Sequence, residues 1–241
     1  MPSPPRRPAI AVLLPPSEAK APGGRGRPWA PGRSALPELD GARAEVLAAL
    51  GAAVAGAPTR RAIERYTGVL YRELDWASLP AAARRRGSSS VLIASGLGGI
   101  VAPGDPIPDY RLKMGARLDG IGRLSSFWRP RLTVALGPRL AGRVVWDLLP
   151  GEHAAAWDPA AVAVRRRITV RFVDAAGRTV SHWNKLLKGA LVRHLLTEGT
   201  VDPAALVDFV HPSGYRLDPV QSDLDAEVAS VVLAERSPAS P

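Results

Sequence analysis

The chain has 241 residues, of which 46% are hydrophobic and 5% aromatic, which is enough for one large domain with a core built on Ala, Val and Leu. Its 32 basic and 22 acidic residues give a formal charge of +10; this charge favours a partner that carries phosphates, although a solvated surface accounts for it equally well. The absence of Cys excludes disulfides, thiolate metal sites and cysteine catalysis.

No apolar run approaches the roughly 20 residues that a membrane span needs, and the start of the chain has no secretory signal pattern. We therefore expect a cytoplasmic protein without membrane contact. No linker divides the sequence, which predicts a single domain over 1–241. Within it we expect residues 1–8 and 235–241 to fray, and 21–34, rich in Pro, Gly and Arg, to form a mobile loop or one draped over the surface.

Apolar periodicity predicts the elements in chain order. A buried strand over 9–14 precedes helices over 37–55 and from about 59 to 74, and a second strand covers 91–94. An extended piece over 110–114, a helix over 127–136 and a third strand over 143–148 follow. Next come a hairpin of 168–173 with 180–183, the clearest helix over 184–196, a short helix over 202–210 capped by Asp202, and a strand over 228–233. This order indicates a mixed α/β (α+β) domain with a central mixed sheet flanked by helices.

Lysine is rare in this Arg-rich chain, and its positions are informative. The four lysines fall in three short polar segments, PPSEAK (15–20), DYRLKM (109–114) and HWNKLLKG (182–189). A compact ammonium with three donors differs from a planar guanidinium, so its retention at these places indicates oxyanion binding. Chance placement of four residues is the alternative.

One polar segment and one glycine-rich segment follow apolar strands. PPSEAK and SGLGG (95–99) lie where open α/β sheets place their ligand crevices. Ser17, Lys20, Ser95 and Gly96 are therefore candidate phosphate-binding residues. The glycine segment matches neither a Walker A loop nor a dinucleotide fingerprint, because no GKS follows and prolines interrupt the expected helix. On its own it is typical of a structural turn.

The segment DYRLKM predicts a basic edge. Arg111 and Lys113 are two residues apart and share one side of an extended segment, whereas Tyr110 and Met114 face inward. We place Tyr110, Arg111 and Lys113 among the candidate phosphate-binding residues.

The helix over 184–196 predicts a second part of the same basic surface. Lys185 and Lys188 are three residues apart and would be neighbours on the surface, with Arg193 about two turns further on. An ordinary solvated helix face is the alternative for such a pair.

Acid–base candidates are few. Glu18, Lys20, Glu152 and His153 are weak candidates for proton transfer, although a lone His is more often structural. No metal-binding pattern and no Ser, His and Asp order occurs, so the sequence predicts neither a metal site nor a cofactor. The runs RRR at 84–86 and 165–167 are most simply surface charges that could widen a positive rim.

Taken in order, the motifs resemble the YaaA family of peroxide-stress proteins. The correspondence runs through PPSEAK, YTGVLY, SGLGGIVAPGDPIPDYRLKMG, FWRPRLT, VVWDLLPGEH, KLLKGALVR and SGY, and it spans nearly the whole chain. The central signature from SGL to MG is its most specific part. The resemblance implies a mixed α/β fold with a positively charged cleft, binding of double-stranded and distorted DNA, and a role in limiting peroxide damage linked to lower free iron.

The positions matching the family motifs are Ser17, Lys20, Tyr66, Gly68, Tyr71, Ser95, Gly96, Asp105, Tyr110, Arg111, Met114, Trp128, Lys185, Lys188, Gly189 and Arg193. The chain departs from the pattern where an aromatic residue that could stack on a base is Gly98, and where a usual Asn is Asp147. The family's DNA-contacting helix-hairpin-helix lies between the first two motifs, where this chain is Ala-rich and shortened, with no hairpin pattern between Leu36 and Ile63.

Two functions fit these observations. The first is a DNA-binding protein that limits oxidative damage through its basic cleft, with double-stranded or distorted DNA as the partner. The second is an enzyme acting on a nucleobase, a nucleotide or another small phosphorylated substrate in the same cleft. Loss of the hairpin with retention of the cleft motifs favours the second, and the sequence leaves the oligomeric state open.

Overall fold

A computed structural model describes residues 10–180, 184–199 and 202–235. The strands are β1 (Ile10–Leu14), β2 (Arg60–Arg61), β3 (Val91–Ser95), β4 (Gly99–Val101), β5 (Pro106–Ile107), β6 (Arg117–Leu118), β7 (Gly122–Arg123), β8 (Val144–Asp147), β9 (Arg166–Val173), β10 (Tyr215–Leu217) and β11 (Val228–Glu235). The α-helices are α1 (Asp40–Leu50), α2 (Ala52–Ala55), α3 (Ala62–Arg65), α4 (Val69–Leu74), α5 (Ala81–Ser90), α6 (Leu124–Leu140), α7 (Gly151–Ala154) and α8 (Asn184–Glu198). Single 3₁₀ segments cover Pro37–Leu39, Trp76–Ser78, Pro159–Ala161 and Pro203–Asp208.

A seven-stranded sheet runs through the centre of the described chain, in the order β10-β11-β9-β8-β1-β3-β4. The five inner strands are parallel, and β10 and β4 close the two edges in antiparallel orientation. Helices flank this mixed sheet, which confirms the predicted fold class. Every residue of β1 and β3 is buried, which explains why both strands read as continuous apolar runs.

The topology places the carboxyl end of β1 at a special position in the sheet. β1 pairs with β3 on one side and with β8 on the other, in parallel in both cases. The chain therefore places β3 on one side of β1 and later places β8 on the other side. The end of β1 is thus a topological switch point. Ligand crevices of open α/β sheets lie outside the carboxyl ends of strands at such points.

The predicted strands at 9–14, 91–94, 143–148, 168–173 and 228–233 are confirmed as β1, β3, β8, β9 and β11. The last of these extends to Glu235, which we expected to fray, and residues 1–8 and 236–241 lie outside the described part. The partner strand predicted over 180–183 lies mostly outside it as well. β9 instead pairs in parallel with β8 and β11, and the expected turn is seen as an antiparallel bridge between Val173 and Thr179.

Several helix predictions need correction. The helix over 37–55 is broken at Gly51, whose φ of 87° ends α1 before the short α2. The helix expected from 59 to 74 is divided into α3 and α4 because Tyr66 adopts an extended backbone. The 127–136 helix is longer, since α6 includes Pro130 and Pro138, and α5 was not predicted because its Arg- and Ser-rich sequence has little apolar periodicity. The segment after Asp202 is a 3₁₀ helix, although the Asp202 carboxylate accepts the expected capping bond from Ala204 N at 2.9 Å.

Two buried arginines join distant segments of the chain. Arg43 of α1 donates to the carbonyl oxygens of Gly98 and Ile100 at 3.2 and 2.8 Å, which ties α1 to β4. Arg65 donates to the carbonyl oxygen of Ala21, at the start of the irregular segment 21–34. That segment also forms a two-hydrogen-bond bridge between Gly26 and Thr59, so it lies across the region just before α3.

No helix within residues 10–180, 184–199 and 202–235 is long and apolar enough to cross a membrane.

Candidate functional site

The segment after β1 is held beside Tyr66. The backbone of Lys20 forms a bridge with that of Tyr66, and Thr67 N donates to Ala19 O at 3.0 Å. The Lys20 ammonium then lies 4.5 Å from the centre of the Tyr110 ring and donates to Ser17 O at 3.1 Å. A cation over an aromatic face is stabilised by the ring quadrupole, so Lys20 is fixed at the carboxyl end of β1.

A chain of hydroxyl groups forms the floor under Lys20. The Tyr66 and Tyr110 hydroxyls are 2.8 Å apart, Tyr110 and Ser95 Oγ are 2.7 Å apart, and Gly98 N donates to Ser95 Oγ at 2.9 Å. These residues are buried, and burial raises the pKa of both Tyr66 and Tyr110. The tyrosines therefore remain protonated at neutral pH, and the network is a rigid support.

This packing changes the role we predicted for three residues. Ser95 and Gly96 are buried, and a Cβ added to Gly96 would lie 2.6 Å from Leu112 O. The SGLGG segment thus brings the DYRLKM segment against the end of β3, and its glycine is needed for that close approach. The Ser17 hydroxyl is likewise occupied, since it accepts from Gly68 N at 2.9 Å. These residues join the family motifs to one another and do not present free groups to a ligand.

Three lysines from separate segments act electrostatically on one carboxylate. Lys113 Nζ lies 3.0 Å from Glu18 Oε1. The pKa of Glu18 is lowered first by this hydrogen bond and charge, and further by the positive charges of Lys185 and Lys20. We call Lys20, Lys113 and Lys185, together with Glu18, the lysine cluster. Its residues come from three parts of the chain, which are the segment after β1, the central signature and the start of α8.

Arg111 adjoins the lysine cluster. Burial lowers the pKa of Lys20, and the nearby Arg111 charge lowers it further, whereas Asp109 and Glu18 raise it. Arg111 and Lys113 are exposed while Tyr110 and Met114 are buried, which confirms the predicted alternation of this segment. Carboxylates are thus interleaved with the cations in this region.

Lys188 does not share the exposed face of Lys185. Its side chain is buried and its ammonium donates to Leu148 O at 2.8 Å, just after β8. Three residues along a helix correspond to a rotation of about 60° around its axis, enough to turn Lys188 to the core while Lys185 stays exposed. The expectation that the two lysines form one surface is therefore wrong. Burial lowers the pKa of Lys188 to about 8, against the opposing effect of Asp147.

Glu152 and His153 extend the site along α7. The exposed Glu152 carboxylate lies against Gly115, because a Cβ added to Gly115 would be 2.2 Å from Glu152 Oε2. Glu18 raises the pKa of Lys113 most, and the charge of Glu152 adds a smaller increase. Burial lowers the pKa of His153; Glu152 opposes this shift and Lys188 adds to it. The Nδ1 atom of His153 is buried without a hydrogen-bond partner. The residues of α7 therefore interact electrostatically with the lysine cluster through Glu152 and with Lys188 through His153.

Arg193 lies away from these residues. Its guanidinium donates to Leu74 O and Asp75 O at 3.0 Å each, at the end of α4. The predicted basic face therefore does not extend to Arg193, which instead caps a neighbouring helix. The departure from the family pattern at Asp147 is also compensated, because Arg167 donates to one oxygen of this carboxylate at 2.9 and 2.7 Å.

Lys113 and Glu18 of the lysine cluster are largely exposed to solvent. A groove of about 670 Å³ borders it through Tyr66, and a second hollow of about 430 Å³ lies near Arg139 and Arg143. None of the three lysines lines either one. Among the residues that the structure describes, no group of three or more His, Asp or Glu side chains could hold a metal ion.

The fold and the site define a class of mixed α/β proteins in which charged side chains gather at the carboxyl ends of the central parallel strands. The profile of the family described as "Peroxide stress protein YaaA" matches residues 36–221, and the chain belongs to that family. A UPF0246 protein of Streptomyces coelicolor is 41% identical over 239 aligned positions, which cover 87% of this chain and 92% of the relative. UPF0246 proteins of Corynebacterium efficiens and Corynebacterium glutamicum are 36% and 33% identical, over 78% and 77% of this chain and 85% and 84% of the relatives.

Several residues of this region are not among the site residues predicted from the sequence. Asp109, which acts on Lys20, stands next to a predicted site residue, and its charge alone could have suggested it. Arg61, Arg72 and Arg84 line the groove that borders the lysine cluster. No spacing in the sequence relates these three arginines, because Arg84 reaches the groove only through the contact of α5 with Trp76 and Ala77.

Proposed function

We propose that this protein binds the phosphate backbone of double-stranded or distorted DNA through the lysine cluster and Arg111, and that it limits peroxide damage in this way. The observation that carries the proposal is the 3.0 Å ion pair of Lys113 with Glu18, together with the effect of the Lys20 and Lys185 charges on the same carboxylate. These cations come from three separate segments and already act on one anionic group.

The ion pair at the centre of the cluster is readily exchanged for a phosphate. The side chains of Lys113 and Glu18 are 69% and 79% exposed, and ion pairs so open to water contribute little, typically below about 1 kcal/mol. A phosphate brings more negative charge and more acceptor oxygens than the Glu18 carboxylate. Contacts of this kind fix a protein on the duplex backbone without reading its sequence.

The cellular part of the proposal is supported by the family description as a peroxide stress protein. In cells that lack their own copy, the wild-type protein is expected to restore survival after hydrogen peroxide. A variant without the lysine cluster is expected to restore it poorly, although it folds normally.

Duplex affinity measured at several salt concentrations tests the proposal. The double variant Lys113→Glu with Lys185→Glu is expected to bind DNA at least about tenfold more weakly. The slope of log K against log salt concentration should fall by the amount expected for the loss of about two phosphate contacts. Arg85→Glu with Arg171→Glu is the matched control, because both arginines are exposed and lie outside the cluster. Undiminished affinity in the lysine variant, or an equal loss in the control, contradicts the proposal.

A second candidate function is an enzyme acting on a nucleobase, a nucleotide or another small phosphorylated substrate at the same place. It is favoured by Lys188, whose pKa is about 8, and by the unpartnered Nδ1 of His153, whose pKa is lowered. An ammonium whose pKa lies near neutrality can give up a proton, and an imidazole with a lowered pKa is neutral and can accept one, which suits general acid–base catalysis.

Thermal-shift measurements with small ligands and with duplex DNA distinguish the two functions. For an enzyme, a nucleobase or phosphorylated compound is expected to raise Tm and duplex DNA is not. That shift should disappear in Lys113→Glu with Lys185→Glu, and turnover should depend on His153 when His153→Gln is assayed. A shift with duplex alone, lost in the lysine variant, favours DNA binding.

A further inference from the structure

The groove beside the lysine cluster carries a separate set of charged groups. It has a volume of about 670 Å³ and lies between the segment 61–77 and α5, with the buried Tyr66 and Tyr71 on its apolar floor. Pockets for small ligands typically measure about 300–1,000 Å³ and combine apolar walls with a few placed polar groups. This groove therefore has the size and composition of a small-molecule site.

Three exposed guanidinium groups line the groove. They belong to Arg61, Arg72 and Arg84. Within the described ranges none of them lies within ion-pair distance of a carboxylate, and Arg84 is oriented by a 2.8 Å hydrogen bond to Ala77 O. Planar guanidinium groups match the oxygen pairs of phosphate, so three of them around one groove favour a phosphorylated ligand.

An indole forms part of the same wall. Trp76 is half-buried and lines the groove, and two of its ring atoms lie 2.6 Å from where a Cβ of Gly87 would be. The missing side chain of Gly87 thus lets Trp76 pack directly on α5, which fixes the ring. A fixed aromatic ring is a stacking surface that accepts any nucleobase.

Two carboxylates complete the lining, Glu64 and Asp75. Asp75 has a φ of 40°, in the left-handed region that non-glycine residues rarely occupy. The conformation is held by Arg193 and by the Ser78 hydroxyl, which donate to Asp75 O at 3.0 and 3.1 Å. Strained residues persist where surrounding contacts determine them and are frequent at ligand sites.

We propose that this groove binds a free nucleotide. The base stacks on Trp76, the sugar hydroxyls donate to Glu64 or Asp75, and the phosphates bind the three arginines. Each part of a nucleotide thus meets a group of matching chemistry, whereas inorganic phosphate would use the arginines alone and a nucleoside would leave them without an anion. This site is distinct from the lysine cluster and does not depend on DNA binding there.

Calorimetric titration of the full chain with ADP, adenosine and inorganic phosphate tests the proposal. ADP is expected to bind at least about tenfold more tightly than either of the other two. Arg61→Ala with Arg72→Ala is expected to weaken ADP binding by about tenfold or more. Both arginines are exposed, so the variant should fold, and circular dichroism checks this. Arg85→Ala with Arg171→Ala, which removes the same charge elsewhere, should bind ADP as the wild type does.

Other outcomes overturn the proposal. They are the absence of ADP binding at about 1 mM, unchanged ADP affinity in the groove variant, inorganic phosphate binding as tightly as ADP, and loss of ADP binding in Lys113→Ala with Lys185→Ala while the groove variant retains it. Duplex DNA binding is measured on the same variants. Its dependence on the lysine cluster alone leaves the groove assignment intact, so the two proposals can fail separately.

Discussion

The ammonium of Lys188 donates a 2.8 Å hydrogen bond to the carbonyl oxygen of Leu148, immediately after β8. A buried cation on α8 thus attaches the helix to the strand whose end precedes Glu152 and His153. Burial favours the neutral amine and lowers the pKa of Lys188 to about 8. This pairing has consequences for stability that can be measured.

The first prediction concerns pH. Lys188 has a folded-state pKa of about 8, below the value of roughly 10.4 expected for an unfolded chain. Between these values the unfolded state holds a proton that the folded state has lost, so stability rises with pH across this window. Below the window Lys188 is protonated in both states, and it makes no contribution to the pH dependence. Relative to Lys188→Met, the free energy of unfolding of the wild type should increase by on the order of 3 kcal/mol from neutral pH to about pH 10.

Urea unfolding of both proteins at a series of pH values provides the measurement. Lys185→Met is the control, because Lys185 is exposed on the same helix, and its difference from the wild type should stay nearly constant. A pH-independent difference for Lys188→Met would show that the buried ammonium has an ordinary pKa.

The second prediction concerns the pair formed by Asp147 and Arg167. The side chain of Asp147 is 1% exposed, and both guanidinium bonds reach one of its oxygens. Asp147→Asn removes the charge that balances Arg167 and supports the protonated form of Lys188. We expect a loss of about 1–3 kcal/mol in the free energy of unfolding, together with a further fall in the pKa of Lys188.

A double-mutant cycle with Arg167→Gln measures the coupling. The double variant should lose less than the two single variants together, because removing both partners leaves no unpaired charge. Additive losses would mean that the pair contributes nothing to stability, even though its geometry is close.

The sequence predicted the sheet far better than the site. Buried parallel strands such as β1 and β3 appear as continuous apolar runs bounded by Pro or Gly, so their positions are encoded locally. The switch-point placement of PPSEAK and SGLGG follows from those strands. The roles of Ser95 and Lys188 could not be predicted, because which polar side chain is buried depends on packing between distant segments.

Arginine runs show the same limit. Both RRR segments suggested simple surface charge, yet each contains an arginine that bonds to a distant segment of the chain. Arg86 donates to the carbonyl oxygen of Thr197 near the end of α8, and Arg167 binds Asp147. In a chain that uses Arg almost everywhere, the residue type carries little information, and the partner that distinguishes one arginine from its neighbours lies at least 20 residues away.

The third prediction concerns the crossing of α4 and α8. A Cβ added to Gly189 would lie 2.3 Å from Leu70 O and 2.8 Å from Glu73 Cβ, so Gly189→Ala must push the helices apart. We expect a loss of about 1–3 kcal/mol in the free energy of unfolding. Gly137→Ala in α6 is the control, since nothing lies within 4 Å of its added Cβ. It should be neutral or stabilising by up to about 1 kcal/mol. Equal effects of the two substitutions in chemical denaturation would contradict the close crossing.

The fourth prediction concerns the buried ion pair of Arg43 and Asp40. Arg43 is 1% exposed, lies 2.8 Å from Asp40 and donates to three carbonyl oxygens, which belong to Leu36, Gly98 and Ile100. Lysine keeps the charge but cannot reach these acceptors in one plane. Arg43→Lys should therefore leave buried carbonyl groups unpaired and destabilise the protein by about 3–5 kcal/mol.

The exposed pair of Arg129 and Asp158 provides the comparison for Arg43. Its N···O distance of 3.0 Å is similar, but its side chains are 47% and 38% exposed. Arg129→Lys should change the free energy of unfolding by less than about 1 kcal/mol, because water replaces what the guanidinium loses. Because Arg43 binds the β4 backbone beside Ser95, its substitution should also increase hydrogen exchange at Gly98, whose N–H is bonded to Ser95 Oγ. A small effect at Arg43 with unchanged exchange at Gly98 would mean that α1 does not hold the floor of the lysine cluster in place.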